Sequence, residues 1–187
     1  MVSVLGENVE FGKFCRLAAA YSAAVAVLYL AYGLYEFIVG AVFWWMPWIR
    51  LPELQLGFPL YANVDGEIVT VYVPKVIVDP FAGLVLLVVS LVFAKASVSL
   101  FRKRVDGWSF TTVGLLLAGA LFMLNVLIVL ADWMDAYYPL LWSGEPNSTW
   151  SILTDDWMFN PMMILFVLAL PLTAVYLKKE EFIREAG

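Results

Sequence analysis

Long apolar runs set off by short polar stretches organise this chain. Between about residues 17 and 48 the only charged side chain is Glu36, and comparable runs cover 81–101, 110–131 and 161–177. A helix needs about 20 consecutive, mostly apolar residues to cross a bilayer. The pattern therefore predicts four spans, at 17–46, 81–101, 110–131 and 161–177, in one membrane domain over 1–187. The first run is too long for a single crossing, since roughly 32 positions make about 48 Å of helix against a hydrocarbon core of about 30 Å. Either the helix projects outward, or it stops near Glu36 and residues 37–48 lie along the interface. Trp44, Trp45 and Trp48 suit an interfacial end, and Pro47 and Pro52 stop the helix.

The segments between the runs differ in kind. In the outer segment 47–80, Tyr61–Val64, Asp65-Gly66 and Glu67–Val73 read as strand, two-residue turn and strand. Asp-Gly accepts the positive φ of such turns, and β-branched residues suit the strands. A hairpin must sit outside the hydrocarbon, where its edges find partners. A tight connection is expected over 105–109, around Asp106-Gly107. A polar, tryptophan-rich loop fills 132–160, and a charged tail covers 178–187. Asn160 followed by Pro161 is an N-cap with proline at the first helical position. Pro171 should kink the last span.

Basic residues orient the chain. Lys13, Arg16, Arg102, Lys103, Arg104, Lys178, Lys179 and Arg184 fall on one side, against Arg50 and Lys75 on the other. The positive-inside rule then places both termini in the cytoplasm of a multi-pass cell-membrane protein. Asn147-Ser148-Thr149 is a glycosylation sequon in an outward loop, so Asn147 is the modification candidate. The expected fold class is an all-α integral membrane protein, a four-transmembrane-helix bundle (N-in/C-in) with a small extracytoplasmic β-hairpin. This layout resembles that of claudin-type proteins in outline, but it lacks their outer-loop cysteine pair, so the resemblance implies an architecture alone.

Composition agrees with a lipid environment. The 187 residues are 63% hydrophobic and 14% charged, whereas soluble domains are about 45–50% apolar and about 25% charged. The single cysteine, Cys15, allows no internal disulfide and reads as a small buried residue. No histidine is present, which removes histidine-ligated haem, zinc and copper and the usual general base near neutral pH. No cofactor is expected, and no nucleic-acid partner, because the cytoplasmic parts are too short for such a domain.

Ionisable and amide side chains inside the spans are the candidates for function, because burying them is costly. Glu36 lies near the outer boundary of the first span, where it can be an interfacial carboxylate, accept from Arg50 or line a path. Lys95 is close enough to the cytoplasmic end to snorkel. Asn125 reads as an interhelical hydrogen-bonding group. Asp132, Asp135, Asp155 and Asp156 gather at the outer surface, where they are solvated loop residues, with Asp155 or Asp156 also suited to cap a short helix, or weak candidates for an oxygen-ligand cation site. The pairs Ala19/Ala23, Ala20/Ala24 and Gly114/Ala118 let helices approach closely. With no catalytic motif, the expected role is a non-catalytic accessory or structural subunit of a larger membrane complex, respiratory or transport-related, in contact with lipid and with other integral subunits or copies of itself. The alternative is a small homo-oligomeric channel or transporter with Glu36, Asn125 and Asp132 along the path.

Overall fold

The computed structural model describes the chain apart from residues 1, 50–56, 65–66, 77–78, 147, 149, 154, 156 and 187. At 2–9, 62, 64, 67, 185 and 186 it describes the backbone alone. In chain order the elements are α1 (Val2–Trp45), β1 (Phe58–Val64), β2 (Glu67–Val73), α2 (Pro80–Phe101), α3 (Val105–Tyr137), α4 (Leu140–Ser143), α5 (Pro161–Ala169), a 3₁₀ turn at Leu170–Leu172, α6 (Thr173–Leu177) and α7 (Lys179–Ala186). Among the described residues, Glu10–Trp45, Pro80–Phe101 and Val105–Ser143 are helical stretches long and apolar enough to cross a bilayer, and Pro161–Leu177 is a shorter apolar one.

The question left open at residues 37–48 is answered in favour of helix continuing through residue 45. α1 continues through Glu36 to Trp45 and ends just before Pro47, whose missing N–H cannot extend the ladder. Its 44 residues make about 66 Å of helix, at about 1.5 Å per residue. The buried positions Phe11, Cys15, Ala18, Ser22, Val25, Tyr29, Gly33, Glu36 and Gly40 recur every three or four residues and form one stripe.

That stripe lies antiparallel against α2 at backbone distance. A Cβ on Gly33 would stand 3.0 Å from Gly83 O and 3.0 Å from Leu87 N. One on Gly83 would stand 2.7 Å from Phe37 Cα, and one on Gly40 would stand 2.6 Å from Pro80 Cδ. Farther along, three hydroxyls donate across the seam to helix carbonyls: Ser90 Oγ to Ala26 O at 2.8 Å, Ser22 Oγ to Phe93 O at 2.9 Å and Ser97 Oγ to Ala19 O at 2.8 Å.

α3 packs against α2 as well, with its own buried small residues Gly107, Thr111, Gly114 and Ala118. A Cβ on Gly107 would stand 2.8 Å from Leu100 N, and one on Gly114 would stand 2.8 Å from the Phe93 ring. The tight connection expected at 105–109 is therefore corrected. Val105 already opens α3, and the chain reverses over Arg102–Arg104, with Lys103 at φ 54°. Asp106 suits a helix's first turn and pairs with Arg104 at 2.7 Å, while Gly107 serves close packing.

Pro171 breaks the last apolar run as expected, splitting α5 from α6 with a 3₁₀ turn. Neighbours supply hydrogen bonds around the break: Tyr21 OH donates to Leu168 O at 2.6 Å and Thr173 Oγ1 to Leu170 O at 2.7 Å. Val25, Ala26, Tyr29, Ala82, Leu86, Phe93, Ala118, Met162 and Leu165 make the main core. A second cluster at the other end joins Phe11, Cys15, Leu100 and Val175 to Phe182 of α7, whose ring meets Phe11 edge-on at 4.9 Å. That cluster gathers the α1 start, the α2–α3 connection and the α6–α7 junction, and with them the eight basic residues, at one end of the bundle.

The hairpin stands at the opposite end. β1 and β2 pair antiparallel from Phe58↔Val73 to Val64↔Glu67, so the first strand starts three residues before the expected Tyr61. The Asp65-Gly66 turn, Arg50 and Pro52 lie outside the described residues. Lys75 N donates to Phe159 O at 2.7 Å and ties the hairpin to the loop before α5.

The seam makes a direct prediction. Gly83→Ala should destabilise the fold by about 1–3 kcal/mol, the cost of overpacking. Gly119→Ala, whose Cβ would meet only the Phe166 ring at an ordinary 3.4 Å, should be neutral or slightly stabilising. Unfolding titrations of both variants in one detergent check this, and equal effects would contradict it.

Candidate functional site

Polar side chains are few in the bundle interior, and the helix registers fix their heights. Glu36 lies between Gly33, which faces Gly83, and Gly40, which faces Pro80, so it is level with the first turn of α2. It is 0% exposed. Following α3 upward from the Gly114–Phe93 contact by equal steps on both helices brings Asn125 level with Ala82. Asn125 is 1% exposed and Asn160, at the start of α5, is 0% exposed. α1, α3 and the α5 N-terminus thus each bring one buried polar side chain to the hairpin end of the core.

Asn125 acts as the interhelical group expected of it. Its Nδ2 donates to Leu121 O of its own helix at 2.9 Å and approaches Met162 Sδ of α5 at 3.3 Å. Asn160 caps α5: its Oδ1 accepts from Met162 N at 2.8 Å, with Pro161 at the first helical position. Asp79 does the same for α2, accepting from Phe81 N at 2.8 Å. Among the described residues Asn125 Oδ1, Asn160 Nδ2 and Tyr29 OH are buried with no hydrogen-bond partner.

The four outer aspartates part company. Asp132 and Asp135 are exposed on the upper part of α3. Asp155 is buried, and both its oxygens are engaged: Oδ2 accepts from Trp150 Nε1 at 2.7 Å, and Oδ1 accepts from Trp157 N at 2.8 Å and Met158 N at 3.1 Å. It organises a turn, which leaves it poorly placed to bind a cation. Asp156 and Asn147 lie outside the described residues. Among the described residues no group of three His, Cys, Asp or Glu is arranged to hold a metal ion.

Lys95 is exposed, with its ammonium 5.7 Å from the centre of the Phe110 ring. Sequence reasoning missed the seam glycines Gly33, Gly40 and Gly83, although the seven-residue spacing of the first two was a visible signal. Of the alanines singled out, Ala19 is buried and Ala20 and Ala24 are exposed.

A family model, described as the MJ0565 integral membrane domain, matches residues 53–180, more than half of the chain. The chain belongs to the MJ0565 integral membrane domain family. The matched range runs from just before the hairpin to the start of α7, and α1 precedes it. No curated protein and no solved structure matches the chain. As a member of the MJ0565 family it is an integral membrane protein, consistent with its apolar helices.

Asp155→Ala should loosen the 150–160 loop of this MJ0565-family member, at a cost of about 1–3 kcal/mol for the donors left unpaired. Faster proteolysis in the loop and red-shifted tryptophan emission would report it. Asp135→Ala, at an exposed position, should stay within about 0.5 kcal/mol.

Proposed function

We propose that this protein is a four-span, non-catalytic subunit of a larger membrane assembly, with both termini in the cytoplasm and the hairpin outside. In this reading Pro161–Leu177 is the fourth crossing, shortened by the Pro171 break. The eight basic residues at one end of the bundle support the orientation.

One observation carries the reading: large apolar side chains stay exposed on α1 and α3 past the hairpin end of α2 and again on the hairpin. α2, with 22 residues, makes about 33 Å of helix and matches a hydrocarbon core of about 30 Å by itself. α1 and α3 pass its hairpin end by several residues. On those extensions Trp44, Trp45, Leu130, Trp133 and Met134 are exposed, and beyond them Phe58 and Ile68 of the hairpin are 79% and 78% exposed. Exposed apolar side chains that gather at one end of the bundle suit an interaction site. A partner subunit standing beside the outer ends of α1 and α3 would cover it.

The interior argues against the channel alternative. Glu36 and Asn125 are enclosed within a single chain, so neither is presented to a path formed between copies, and Asp132 lies on the exterior. The serine hydroxyls of the α1–α2 seam are spent on helix carbonyls.

Gentle extraction through a tag, followed by native mass spectrometry, should yield different chains in fixed stoichiometry. Liposomes containing the purified chain should pass no ions, with Glu36 or with Glu36→Gln. A homo-oligomer with nothing attached, whose ion flux changes in Glu36→Gln, would overturn the proposal in favour of a pore.

A further inference from the structure

We propose that Asn125 and Asn160 together hold one ordered water molecule between α3 and the start of α5. The two amides are oriented by bonds already made. Asn125 Nδ2 donates to Leu121 O, which leaves Oδ1 as the unengaged end of its amide. Asn160 Oδ1 accepts from Met162 N, which turns Nδ2 away from the cap. What is left is one acceptor and one donor, both buried and both without a partner among the described residues.

The engaged atoms of both amides meet one residue, Met162, and bring the two side chains together there. Asn125 reaches the sulfur of Met162, and Asn160 holds its backbone N–H. Their charges are complementary in the sense water requires, because a water donates to a carbonyl oxygen while accepting from an amide N–H. Buried waters in proteins sit where polar groups are otherwise unsatisfied and make about three hydrogen bonds each. An amide acceptor and an amide donor enclosed by apolar core side chains are costly to leave bare. A direct Asn125–Asn160 bond would satisfy them equally, and it is not formed. The water completes a link from α3 to the short α5 and holds the start of α5 level with the first turn of α2.

Crystals grown from a lipid mesophase, at a resolution that shows ordered solvent, test this. Solvent density is expected within about 2.7–3.2 Å of both Asn125 Oδ1 and Asn160 Nδ2. In Asn125→Leu that density should vanish, while α5 still begins at Pro161. Amides bonded directly to each other or to other protein atoms would overturn the proposal. So would density beside only one of them, or density that survives in Asn125→Leu.

Discussion

Everything else in this fold depends on how closely α1 and α2 approach. In lipid the hydrophobic effect gives little reason for one apolar helix to prefer another over acyl chains, so association rests on close packing and interhelical hydrogen bonds. Here both act on one seam. At the hairpin end Gly33, Gly83 and Gly40 bring backbone against backbone, and toward the basic end Ser90, Ser22 and Ser97 donate to carbonyls of the facing helix. The two devices divide the seam lengthwise, which fixes the register as well as the distance.

The register in turn sets the heights of the polar groups. The seam and the Gly107–Gly114 contacts place Glu36 and Asn125 level with the hairpin end of α2, and α1 and α3 continue past that end. The break at Pro171 adjusts the last apolar run to the same frame, with Tyr21 reaching from α1 to the Leu168 carbonyl. At the basic end α7 folds beneath the bundle, Lys178 and Lys179 lying over the rings of Phe14 and Trp108.

Much of this was legible in the sequence, and the reasons differ by element. The apolar runs, the Asn160-Pro161 start, the Pro171 break and the hairpin strands follow from local chemistry. Asn125 as an interhelical group follows from the cost of an amide among apolar residues. Which face of each helix turns inward was hidden, because α1, α2 and α3 are apolar all round and show no one-sided stripe to read. The seven-residue spacing of Gly33 and Gly40 put both on one helix face, but which backbone that face meets, and Gly83 on the other side of the contact, emerge only once the partner helix is in place. Asp106-Gly107 misled for a related reason: a pair that favours turns also suits a helix start packed against a neighbour. The capping side of Asp155 was readable from local chemistry, since it accepts from the N–H groups just after it, but the Trp150 indole that meets its other oxygen follows no periodicity.

The four-span reading stands or falls on the last apolar stretch, which is short and broken. Cysteine-accessibility labelling of single-cysteine variants in sealed, oriented vesicles examines it directly, with Lys103→Cys and Lys179→Cys as inner positions and Tyr61→Cys and Glu145→Cys as outer ones. The account requires an impermeant reagent to reach Tyr61→Cys and Glu145→Cys from outside, and Lys103→Cys and Lys179→Cys only after the inner face is opened. Labelling of Lys179→Cys from the side that reaches Glu145→Cys would show that residues 161–177 do not cross, and would contradict the account.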